Sequence, residues 1–151
     1  MTVWIQRLAI LCAGLVWGGS LIVAPAKFQV EALTMPVALQ VGRAQFLWVS
    51  IAEASVMVTI AILMAFAWKR GRVFGAPPWL LLLAVVLFAT QHLLLMPPLQ
   101  ARSERIIAGA SVADSQLHLV YVVAECVKVF ALLLAGTLSM RQGVSADRSE
   151  P

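Results

Sequence analysis

Four long apolar runs alternate with shorter polar stretches along the chain, at about residues 3–24, 44–68, 78–96 and 117–140. Within each run the apolar residues are consecutive, which excludes the two-residue alternation of a membrane-facing strand. About 20 helical residues cross about 30 Å of hydrocarbon, and every run reaches that length. Lipid offers no partner to a backbone N–H or C=O, so each run is expected to be a helix that closes its own hydrogen bonds. The pattern predicts an all-α, integral membrane four-helix bundle over residues 1–141, and a polar, disordered C-terminal tail over 142–151.

Proline marks the expected boundaries. Pro77 and Pro78 open the third helix, Pro97 and Pro98 stop it, and Pro25 closes the first, because the ring supplies no N–H and clashes with the preceding turn. Residues 26–42 are amphipathic and broken by Pro36, as in a short helix lying in the membrane interface. Residues 99–116 hold the charges Arg102, Glu104, Arg105 and Asp114. Gly14 and Gly18 have the G-x-x-x-G spacing that lets a neighbouring helix come close. Ala24-Pro25-Ala26 would suit signal cleavage, but the preceding run is sized for a span, not for the roughly 7–15 residues of a signal core.

Composition supports a lipid environment. The chain is 62% hydrophobic and 12% charged, with mean hydropathy +0.93; a soluble domain carries about 25% charged residues. The net charge of +4 does not point to nucleic acid. Its basic residues flank the apolar runs and do not form a stripe interleaved with aromatics, so the bilayer is the expected partner. A second membrane protein or a second copy of the chain is compatible with the pattern. Lys69, Arg70 and Arg72 make the connection 69–76 short and basic, which favours cytoplasmic N and C termini; the plasma (inner) membrane is the expected location. Trp4, Trp68 and Trp79 fall at interfaces, while Trp17 and Trp48 are read as packing residues. Cys12 and Cys126 are read as free, packed thiols.

Ionisable groups inside the runs are the candidate chemistry. Glu53 lies in the second helix, His92 in the third, and Glu125 and Lys128 in the fourth. Rise per residue puts Glu53, His92 and Glu125 in one layer of the outer leaflet. Asp114, His118, Tyr121, Glu125 and Lys128 are spaced to form one polar face, and Phe46, Ser50, Glu53, Met57, Ile60 and Met64 share a face of the second helix. A charge facing lipid there costs at least about 2.5 kcal/mol, so the groups should turn inward and meet.

Several readings of that cluster are open. The structural one is a salt bridge of Lys128 with Glu53 or Glu125 that fixes packing. The chemical one is a ligand site, in which His92, His118, Glu53 and Glu125 offer donors for a divalent metal, although no compact metal motif is present. An ion path is a third, and haem between His92 and His118 a fourth. No phosphate loop, nucleophile elbow or soluble carboxylate pair accompanies them, so no cofactor is assigned and no reaction is named.

Trp17-Gly18-Gly19, Ala24-Pro25-Ala26-x-Phe28, Gly42, Phe46, Pro98, Arg102 and Leu117-His118 together resemble the transmembrane protein 205-like family. That resemblance implies a four-helix membrane protein of largely unassigned activity. Tyr121 departs from it, since the family tends to a small hydroxyl residue after Leu-His. The short chain and polar fourth helix are also similar to copper-resistance D-type membrane domains. The expected function is that of a small polytopic membrane protein whose outer-half cluster serves transport, metal handling or partner assembly. A haem- or metal-binding redox protein or enzyme is the alternative.

Overall fold

A computed structural model describes residues 2–70 and 78–147, with side chains for residues 3–70 and 78–138. Among these residues there are four helices long and apolar enough to cross a membrane. They are α1 (Val3–Gln29), α2 (Met35–Lys69), α3 (Pro78–Ile107) and α4 (Leu117–Asp147). The all-α bundle therefore stands as read from the sequence. α1 packs against α4 and α2, and α3 closes the ring by packing against α4 and α2. The end carrying the termini is called proximal here. The end carrying the connections 30–34 and 108–116 is called distal.

The helices overrun the boundaries that proline suggested. Pro25 does not close α1, which continues to Gln29, and Pro97 and Pro98 do not stop α3, which continues to Ile107. A proline ring clashes with the carbonyl four residues earlier and leaves it without a donor. Both helices absorb this by widening the turn just before the proline. Trp17–Val23 is π-helical ahead of Pro25, and Gln91–Leu95 is π-helical ahead of Pro97 and Pro98. The carbonyls concerned, Leu21, Leu93 and Leu94, all fall inside these widened turns.

Pro36 likewise does not break an interfacial helix. It sits in the first turn of α2, where a missing N–H costs nothing, and α2 then runs unbroken for 35 residues. At 1.5 Å per residue α2 is about 52 Å long, well beyond the hydrocarbon thickness. Its distal end meets the distal end of α3 through the Arg43–Glu104 ion pair, 2.8 Å and exposed. After α3, Gly109 takes φ of 81°, a left-handed conformation that suits glycine at a helix end. α4 is helical to Asp147, so part of the expected tail is helix. Arg72 and Pro77 lie outside the described residues, as do the side chains of Arg141 and Arg148.

The proximal half holds a dry core of small and branched side chains. Ala9, Cys12, Ala13 and Val16 of α1 meet Met57 and Ile60 of α2, Leu81 and Ala84 of α3, and Val129, Leu132 and Ala135 of α4. The glycines that allow close approach are not the pair expected. Gly14 and Gly18 have nothing within 4 Å of an added Cβ, because they point away from the neighbouring helices. At Gly136 an added Cβ would stand 2.5 Å from Ile10 Cγ1, and at Gly19 it would stand 2.7 Å from Val49. The outer surface is apolar: Leu11, Ile51, Val58, Leu82 and Phe130 are among many large exposed side chains, as a lipid-facing surface requires. Trp4, Trp68 and Trp79 are exposed at the proximal end, in keeping with an aromatic belt. Trp17 and Trp48 are also exposed, at 47% and 69%, so they face outward and do not pack inside. Hydroxyls on this surface are satisfied within their own helix, Thr59 donating to Ser55 O and Thr137 to Leu133 O, each at 2.8 Å.

Candidate functional site

Above the dry core, three helices contribute to one buried charged network. Lys128 of α4 lies 2.5 Å from Glu53 of α2 and 2.8 Å from Glu125, one turn away on its own helix. The sequence suggested one carboxylate or the other; the lysine takes both. The arrangement follows from helix geometry, since residues three apart stack on one face and Glu53 faces them from α2. All three side chains are at most 2% exposed.

The third helix supplies Gln91, not His92. Gln91 is fully buried, donates from Nε2 to Glu125 Oε2 at 2.6 Å, and accepts from Lys128 Nζ at 2.8 Å. The same amide reaches the Tyr121 carbonyl at 3.3 Å. One side chain thus bridges the cation and one of the anions. The widened turn at 91–95 begins at this residue.

His92 stands beside the network and turns toward Phe88, away from the carboxylates. Its Nδ1 lies 2.9 Å from the Phe88 carbonyl, its ring stacks 4.1 Å from the Phe88 ring, and its Nε2 is buried with no hydrogen-bond partner. Lys128 Nζ lies 5.6 Å from the same Phe88 ring. Spacing alone did not choose between the two residues: Leu82, Val85, Ala89 and His92 are spaced three, four and three along an apolar run, and so are Leu81, Ala84, Phe88 and Gln91. The latter face points inward, and His92 is about 100° off it.

The network borders a cavity of about 380 Å³ in the distal half, walled by all four helices. α1 contributes Ser20 and Lys27, α2 Gly42 and Phe46, α3 Leu99 and Ser103, and α4 His118, Tyr121 and Glu125. Glu125 is the deepest α4 residue on the wall, while His118 and Lys27 lie toward the distal end. Tyr121 is buried and its ring meets Phe46 edge to face, with centroids 6.1 Å apart. His118 is exposed and reaches the cavity without joining the ion network. Asp114, expected at the top of the polar face, is exposed and precedes α4.

Four polar atoms around this site are buried without a hydrogen-bond partner: Ser20 Oγ, His92 Nε2, Glu125 Oε1 and Glu53 Oε1. The Glu53 oxygen makes its 2.5 Å ion pair with Lys128 outside hydrogen-bond alignment. Buried polar atoms are nearly always paired, so orphans at one level of the bundle mark places where a further group can bind. Each of the two π turns carries one residue of this level inward, Ser20 on α1 and Gln91 on α3. Such turns inside helices recur at functional sites. The α1 turn is braced from α2, where Gln45 donates to the Gly19 carbonyl at 2.5 Å.

The metal expectation finds no support in this geometry. Among the described residues no three His, Cys, Asp or Glu side chains gather to hold an ion. The position between Glu53 and Glu125 is taken by the Lys128 ammonium, which already supplies the positive charge a cation would bring. Cys12 and Cys126 are free thiols.

Comparison with protein-family models, with curated proteins and with solved structures finds no match to this chain.

Proposed function

We propose that this protein binds a small amphiphilic molecule in its distal cavity and acts as a carrier-type membrane protein. The observation that carries the reading is the cavity's deep boundary on Glu125, a member of a buried ion network with orphan acceptors. Its volume of about 380 Å³ falls within the roughly 300–1,000 Å³ of small-molecule sites, which are mostly apolar with a few placed polar groups. Fully ionised, Glu53, Glu125 and Lys128 sum to −1. One bound proton would offset that charge, and a ligand that excludes water from the floor would favour it.

Membership of the transmembrane protein 205-like family belongs to the same proposal. It is supported by Leu117-His118 at the opening of α4, where His118 lies on the cavity wall. The proposed orientation has both termini on the cytoplasmic side of a plasma (inner) membrane, supported by Lys69 and Arg70 at the proximal end. A membrane-impermeant thiol reagent on intact cells, with both native cysteines replaced, should label Ala110→Cys and leave Arg70→Cys unlabelled. The reverse pattern inverts the assignment.

Native mass spectrometry of the gently extracted protein tests the binding itself. A retained small molecule is expected on the unsubstituted chain and on Ile62→Trp, a change on the lipid-facing surface. It should be lost from Leu39→Trp, which fills the cavity. Ligand-free masses for all three proteins, or equal retention by all three, would defeat the reading.

A further inference from the structure

The cavity's charges are not evenly placed, and this deepens the reading above, on which it rests. Glu125 bounds the deep end, while Lys27 and Arg43 lie on the wall nearer the distal surface. Arg43 is already paired with Glu104. Lys27 is not paired: among the described residues its ammonium meets no carboxylate and no hydrogen-bond acceptor. It rests between two aromatic rings, 5.2 Å from the Phe28 centroid and 5.3 Å from the Phe46 centroid.

The position of Lys27 is built, not incidental. Its side chain crosses the face of α2 at Gly42, where an added Cβ would stand 2.9 Å from Lys27 Cε. Glycine there keeps open the path by which the lysine reaches the cavity. The two ring faces attract the cation without neutralising it, so its charge remains available to a ligand. Lys27 itself is only half-buried, close to the distal end, where an arriving head group could meet it.

We propose that the ligand is an amphiphile with an oxyanion head, a carboxylate or phosphate, seated on Lys27, and an apolar chain running inward past Phe46, Leu99 and Met96. Glu125 at the deep end repels a second anion, which fixes the direction of insertion. The cavity of about 380 Å³ lies at the small end of the roughly 300–1,000 Å³ range of ligand pockets. That size suits one short chain with its head. The oxyanion can come from a free single-chain acid or from a lipid phosphate that inserts one chain.

Equilibrium dialysis of labelled decanoate against the protein in phosphatidylcholine nanodiscs, with empty discs as blank, tests this. Saturable binding of one decanoate per chain is expected, with decanol competing at least tenfold less well. Lys27→Gln should weaken decanoate binding at least tenfold, and Lys27→Arg should retain most of it. If discs containing phosphatidic acid suppress decanoate binding through Lys27, the source is a lipid and the proposal stands. Equal competition by decanol, or unchanged binding in Lys27→Gln, overturns the oxyanion assignment while leaving the cavity as a site. Failure of both decanoate and decanol to bind, with a native ligand still seen by mass spectrometry, overturns it equally. Decanoate binding that survives Leu39→Trp would remove the cavity reading itself.

Discussion

At the scale of single residues, Lys128 decides whether the interior of this bundle is tolerable. Two carboxylates, Glu53 and Glu125, are removed from water and share one ammonium, with Gln91 bonded to both signs of charge. Taking ions from water costs several kcal/mol each, and only close pairing with satisfied hydrogen bonds returns it. Lys128→Met should therefore lower stability by about 3–5 kcal/mol, the range for stranding a buried charge, read as a shift in reversible unfolding in detergent. Adding Glu53→Gln and Glu125→Gln should restore much of that loss, because no stranded charge then remains. A loss under about 1 kcal/mol in the single variant would mean that water reaches the network.

The same residues show how far the sequence could be read at this scale. Glu53, Tyr121, Glu125 and Lys128 were legible because a charge in lipid must turn inward and because helix spacing puts three of them on one face. His92 looked the stronger candidate on the third helix because imidazole carries more chemistry than an amide. Gln91 outranks it only through direction, a matter of one residue and about 100° of helix. Ser20 gave no signal at all: a serine in a transmembrane run usually bonds its own helix, and its orphan oxygen is visible only with neighbouring atoms in place.

At the scale of the element, proline in lipid behaves differently from proline in water. Stopping a helix inside the hydrocarbon would expose unpaired carbonyls, so α1 and α3 continue and widen a turn instead. The widened turns also re-aim the residues near them. Replacing Pro97 and Pro98 by alanine should relax the 91–95 turn toward α-helix and rotate Gln91 away from Lys128. In the unsubstituted chain, Gln91→Leu is expected to cost about 1–3 kcal/mol by leaving buried groups unpaired. In the alanine background that cost should fall, giving a coupling of at least about 0.5 kcal/mol in a double-mutant cycle. Strict additivity would show that the turn does not position the amide.

At the scale of the whole molecule, the bundle is divided along its axis. The proximal half is close-packed and apolar, with Gly136 letting α4 approach α1. The distal half contains the network, the cavity and both π turns. Local opening is easiest where buried apolar contacts are few. Amide hydrogen exchange should accordingly be faster in residues 17–29 and 91–107 than in residues 5–16 and 80–88. Uniform protection along α1 and α3 would contradict this division.

The sequence alone determined the class of this protein, the number of its spans and the inward placement of Glu53, Tyr121, Glu125 and Lys128. Each of these follows from the cost of exposing backbone or charge to hydrocarbon, which acts on the chain residue by residue. It did not determine which glycines touch a partner, that Lys128 would hold two carboxylates, or that Lys27 would cross Gly42 into a cavity. Those depend on distances between helices remote in sequence, and a shift of one turn or a rotation of 100° changes every one of them. Only the tertiary structure sets that rotation, because it is fixed by how four helices pack together and not by any one of them.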